Sequence, residues 1–80
     1  SVKIFPNPVA DILQLHIHAE KKETILFNLF NTEGKKIDSK KMNLQKGSNY
    51  LNWNMQTLAK GNYFLAADAA NIETIKIIKK

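Results

Sequence analysis

His16 and His18 stand two residues apart in a stretch that alternates apolar and polar side chains, and on a β-strand that spacing sends both imidazoles from one face. Such a pair can hold zinc or copper when further ligands converge on it. Their face also carries Gln14 and no neighbouring carboxylate, so two solvated surface histidines are the better account. The seven carboxylates, Asp11, Glu20, Glu23, Glu33, Asp38, Asp68 and Glu73, fall mostly in turn-like stretches and at strand ends. Glycoside hydrolysis needs two of them held across a cleft, for which a chain of this length has little room. Ser1, Ser39 and Ser48 lack the strand-to-helix elbow of a nucleophilic serine, and no cysteine is present to act as nucleophile, thiolate ligand or disulfide partner. Gly34, Gly47 and Gly61 are widely separated, so they punctuate turns and cradle no phosphate. The reading is therefore of a protein that is not an enzyme and uses neither metal nor cofactor.

Tyr50, Trp53 and Tyr63 could form the stacking platform of a carbohydrate-binding module. Core packing competes for two of them. Trp53 alternates with Leu51 and is expected inside, and Tyr63 sits in a corner-like motif, leaving Tyr50 free.

The totals set the scale. Eighty residues make one compact domain, 1–80, and a chain of this size keeps only about 3 to 5 kcal/mol of stability in reserve. A hydrophobic share of 44% with 24% charged residues is that of a folded, water-facing domain. The net charge of +5 is carried by lysine alone, in doublets such as Lys21-Lys22, Lys40-Lys41 and Lys79-Lys80. Without arginine or a binding motif, no nucleic-acid partner is expected. No apolar run reaches transmembrane length, and no membrane insertion is expected. The chain opens at Ser1 with neither an initiator Met nor a signal peptide, so it reads as an excerpt from a longer precursor.

Short alternating segments recur along the chain, separated by turn residues, and no window carries a helical stripe. Strands are predicted over 2–5, 12–18, 24–30, 35–44, 49–54, 62–67 and 73–79. Pro6-Asn7-Pro8 ends the first of them, and Asn31-Thr32-Glu33-Gly34 turns the chain between the third and fourth. Leu13, Leu15 and Ile17, then Ile25, Phe27 and Leu29, are predicted to face the core, with Ile37, Met42 and Leu44 as the inward anchors of a lysine-rich edge strand. Residues 55–60 form a connection with room for one helical turn. Seven strands with a turn about every ten residues indicate an all-β, immunoglobulin-like antiparallel sandwich with Greek-key connections. Leu58-Ala59-Lys60-Gly61-Asn62-Tyr63 has the form of a tyrosine corner, whose hydroxyl bonds backbone upstream.

Four motifs in order add a family. Phe5-Pro6-Asn7-Pro8 with Ala10-Asp11-Ile12-Leu13 resembles the opening of type A C-terminal sorting domains of the type IX secretion system. The run 29–37, with its single Gly34, is similar to their central strand-turn-strand. Leu58, Gly61 and Tyr63 match the signature before their penultimate strand, and 74–80 resembles their terminal strand with its basic end. The chain departs from the pattern at Ala66-Ala67-Asp68-Ala69-Ala70, where alanines replace branched residues, and a weak, mobile last hairpin is expected there.

The resemblance implies a secretion signal that takes its cargo through the periplasm and across the outer membrane to the cell surface or medium. The implied partners are the outer-membrane translocon and shuttle components of the type IX system, and a sortase-like peptidase that cuts upstream of Ser1. By the same resemblance, Gly61, Tyr63, Lys76, Ile77, Ile78, Lys79 and Lys80 are the candidate signal residues. A C-terminal edge strand can be read by strand addition, and edge strands also leave room for a weak dimer. The competing account is that Gly61 and Tyr63 hold the corner and Ile77 fills the core. The alternative function is an accessory carbohydrate-binding or adhesion sandwich of a secreted enzyme.

Overall fold

The computed structural model describes residues 2–69 and 71–80; Ser1 and Ala70 lie outside the described residues. Seven strands follow in order: β1 (Val2–Phe5), β2 (Ile12–Ala19), β3 (Glu23–Asn31), β4 (Lys36–Leu44), β5 (Gly47–Asn54), β6 (Gly61–Ala67) and β7 (Ile75–Lys79). They form two antiparallel sheets, β1-β2-β5 and β4-β3-β6-β7. The pairing of β3 with β6 across the chain makes the connections Greek-key, as an immunoglobulin-like sandwich requires.

The period-2 pattern decides which side of each strand is buried, because alternate side chains leave opposite faces. Leu13, Leu15 and Ile17 of β2, with Trp53 of β5, face Ile25, Phe27 and Leu29 of β3. Met42, Leu44, Tyr63, Leu65 and Ile77 complete the layer between the sheets. Full burial of each such aliphatic side chain contributes about 1.5 to 3 kcal/mol, so a few truncations would exhaust the reserve of a domain this small.

Three core residues come from outside the predicted strands: Ala19, which extends β2 by one residue, and two in connections. Val9 and Met55 are both 0% exposed. The Met55 N–H bonds the Asp11 carbonyl at 2.7 Å, and this contact draws the β5–β6 connection over the end of the core. That connection contains a hydrogen-bonded turn from Leu58 N–H to Met55 C=O and no helix. The Asn31-to-Gly34 turn forms as expected: Asn31 Oδ1 accepts from the Glu33 and Lys35 N–H groups, and Gly34 takes φ +81°.

The anchor assignment in β4 needs one correction. Leu29 pairs with Asp38 and Phe30 with Lys36, so Ile37 is the extra residue of a β-bulge and is 37% exposed. Ile37 falls out of step with Met42 and Leu44, because alternation counted back from those two buried residues gives the inward position to Asp38. From there its Oδ2 accepts a 2.9 Å bond from Trp53 Nε1, tying the two sheets together, while Lys40 Nζ lies 5.7 Å from the Trp53 ring centroid.

The last hairpin is shorter than predicted, since β7 begins at Ile75. Asp68 fastens its near side to β3: its N–H bonds the Leu26 carbonyl at 3.0 Å, and its Oδ1 accepts from Leu26 N–H at 2.8 Å.

Candidate functional site

The seven candidate signal residues lie on β6, β7 and the end of the chain, and alternation divides them. In β7 the pairs Ile75↔Leu65, Ile77↔Tyr63 and Lys79↔Gly61 put the odd-numbered side chains toward the core. Ile77 is 0% exposed and Lys79 is 9% exposed, with its Nζ donating to the Lys80 carbonyl at 3.3 Å. Lys76, Ile78 and Lys80 are exposed. Tyr63 is buried, and its hydroxyl donates to the Ala59 carbonyl at 2.7 Å, which completes the tyrosine corner. Gly61 opens β6 at φ +147°, a conformation that side chains with a Cβ rarely adopt, and nothing lies within 4 Å of where its Cβ would stand. Backbone geometry, not a close neighbour, therefore selects glycine there. Gly61, Tyr63 and Ile77 thus serve the fold, whereas the side chains of Lys76, Ile78 and Lys80 face solvent.

Sequence reasoning missed what happens on the outer edge of β7. Pro6-Asn7-Pro8 ends β1, as the fixed φ of proline demands, and then runs along β7. Asn7 Nδ2 donates to the Lys76 carbonyl at 3.1 Å, and Asn7 Oδ1 accepts from Ile78 N–H at 2.9 Å. Val9 N–H donates to the Ile78 carbonyl at 2.8 Å, and Lys80 N–H donates to the Val9 carbonyl at 3.0 Å. The side-chain amide of Asn7 thus imitates a peptide group and Val9 forms a parallel bridge with Lys79. Between 76 and 80 these outward carbonyls and N–H groups are already bonded, so strand addition at this stretch would first have to displace residues 7–9. No sequence signal pairs Asn7 with Ile78, which lie 71 residues apart.

The other candidates do not converge on chemistry. His16 stacks on Tyr50 at 4.5 Å between ring centroids and 9° between planes, and its buried Nε2 has no hydrogen-bond partner. His18 is exposed opposite Ser48. Among the described residues no group of three or more His, Cys, Asp or Glu side chains is placed to hold a metal ion. Among the described residues no helix is long and apolar enough to cross a membrane. Of the three aromatics considered for sugar stacking, Trp53 is 1% and Tyr63 7% exposed, while Tyr50 is 60% exposed.

Fold and site together define a small β-sandwich whose terminal strand shows basic and aliphatic side chains on one side and is strapped along its outer edge. The chain matches, over residues 3–80, the family described as "Secretion system C-terminal sorting domain", and it belongs to that family. No curated protein and no solved structure matches it. As a member it carries the C-terminal secretion-sorting signal of the type IX system, a role that is not catalytic and that implies interaction with the secretion machinery and export to the cell surface or beyond.

Proposed function

We propose that this domain is read in its folded state in the periplasm and delivers the protein attached to it to the outer-membrane translocon and shuttle components of the type IX system. A sortase-like peptidase then separates it from the cargo by cutting upstream of Ser1, and the cargo is left at the cell surface or in the medium. Within the signal, Lys76, Ile78 and Lys80 make the contacts. Gly61, Tyr63, Ile77 and Lys79 act indirectly, by holding β7 in place.

The observation that carries this reading is the state of β7 in a chain that matches the sorting family over residues 3–80. Its outward side chains are exposed while its outward backbone is bonded to residues 7–9. A reader can therefore act on side chains without opening the fold, which keeps recognition compatible with a small and marginally stable domain.

The test is an export assay. Residues 1–80 are fused to a fluorescent protein bearing a Sec signal and expressed in a bacterium with a type IX system. Fluorescence at the surface or in the medium that disappears when the translocon is deleted supports the reading. A folded fusion that remains periplasmic would sink it and return the adhesion-module alternative to first place.

A further inference from the structure

We infer that the outer face of the four-stranded sheet is the docking surface for an acidic polypeptide surface of the export machinery; this rests on the sorting reading and specifies the partner's chemistry. The register places Lys36, Phe30, Phe64 and Lys76 in one row across β4, β3, β6 and β7. With strands about 4.8 Å apart, the two lysines flank the phenylalanine pair across about 14 Å. Leu26 lies two same-face positions further along β3, beyond Asn28 and directly opposite Lys41, and Ile78 stands 41% exposed opposite Asn62 at the other end.

Charge sets this face apart. Its strand positions hold Lys36, Lys41 and Lys76 and no carboxylate among the described residues. Asp68, just beyond β6, has Oδ1 committed to the Leu26 N–H. The opposite outer face, on β1, β2 and β5, carries Lys3 as its single lysine, with His16 and Tyr50 stacked on each other. An apolar centre bordered by like charges calls for a partner with an apolar centre and an acidic rim, since complementary rims steer encounter and exclude wrong partners.

The same geometry selects protein over lipid. Phe30, Phe64 and Leu26 are half-buried, and of the apolar side chains on this face of β3, β6 and β7 only Ile78 is largely exposed, whereas a membrane-seeking patch needs several that protrude. The face also offers hydrogen-bonding groups, including Asn62 and a Ser39 hydroxyl that donates to Asn28 Oδ1 at 2.8 Å. Such groups suit an opposing protein surface and would lose water without replacement in acyl chains.

The experiment places p-benzoylphenylalanine at position 64, or at position 50 on the opposite face, in the fluorescent fusion, and irradiates cells during export. The expected result is a crosslink from position 64 to an acidic protein whose gene is required for export, with little or none to it from position 50. Lys36→Glu with Lys76→Glu should reduce both that crosslink and export at least about fivefold, and Lys36→Gln with Lys76→Gln should reduce them less. Thermal midpoints of the purified variants, unchanged from the parent, would assign the loss to docking. Equal crosslinks from both faces, a crosslink from position 64 to lipid or lipopolysaccharide instead of protein, or full export by the charge-reversed form would overturn the proposal. Failure of the unsubstituted fusion to be exported would instead strike the sorting reading itself.

Discussion

Replacing Asn7 by Ala should loosen the C-terminal strand without touching the core. The side chain makes two bonds to β7, accepting from Ile78 N–H at 2.9 Å and donating to the Lys76 carbonyl at 3.1 Å. Both are solvent-accessible, and each nets about 0.5 to 1 kcal/mol once water can replace it, giving about 1 to 2 kcal/mol for the pair. Against a reserve of about 3 to 5 kcal/mol this is a large fraction, and at about 4 to 8 °C per kcal/mol it lowers Tm by roughly 4 to 16 °C. Asn7→Asp is not a rescue: a carboxylate can still accept from Ile78 N–H, but it cannot donate to the Lys76 carbonyl and repels it. Thermal unfolding followed by circular dichroism gives the first readout, and amide hydrogen exchange at Ile78 gives the second. Exchange at Ile78 should accelerate in Asn7→Ala while that of Leu15, deep in β2, changes only with the global stability. A Tm within about 2 °C of the parent, with Ile78 exchange unaltered, would refute the idea that residues 7–9 hold the strand.

Other expectations concern the elements that support β7. Trp53→Phe and Asp38→Ala, combined in a double-mutant cycle by denaturant unfolding, should show a coupling of about 1 kcal/mol, because they share the bond between the sheets; additive effects would deny it. Tyr63→Phe removes only the hydroxyl that bonds Ala59 and should cost about 1 kcal/mol in denaturant unfolding, with export intact at a temperature where the variant is folded. Loss of export by that folded variant would make Tyr63 a direct contact. Gly61→Ala forces a Cβ into φ +147° and should destabilise by about 1 to 2 kcal/mol, with its export defect relieved on lowering the growth temperature.

The succession of seven strands along the chain, the inward faces of β2 and β3, the buried Trp53 and the Tyr63 corner were legible because each is a local consequence of alternation or of a short motif. Ile37 is misplaced when an apolar side chain alone is read as an anchor: it stands at odd spacing from Met42 and Leu44, so alternation puts it on the other face, and the bulge leaves it without a partner on β3. Val9 and Met55 escaped because they lie in connections, where an apolar residue is buried only if the chain happens to cross the open end of the sandwich. The strap across β7 was invisible for a related reason. Asn7 and Ile78 are 71 residues apart, and an Asn between two prolines reads as a turn residue until the fold brings a strand edge beside it. The family resemblance pointed to candidate residues on the terminal strand, and only the register separates the exposed ones from those turned toward the core.

The central claim is that sorting depends on the exposed side chains of the folded C-terminal strand. Deleting residues 78–80 would test it poorly, since that also removes the bonds to Val9 and threatens the fold. Lys76→Ala, Ile78→Ala and Lys80→Ala combined keep every backbone bond in the strap, so the decisive measurement is the exported fraction of a fusion carrying all three, alongside its Tm. A folded, periplasmically trapped fusion is the predicted result. Export at the level of the parent would contradict the account and place the signal elsewhere on the domain.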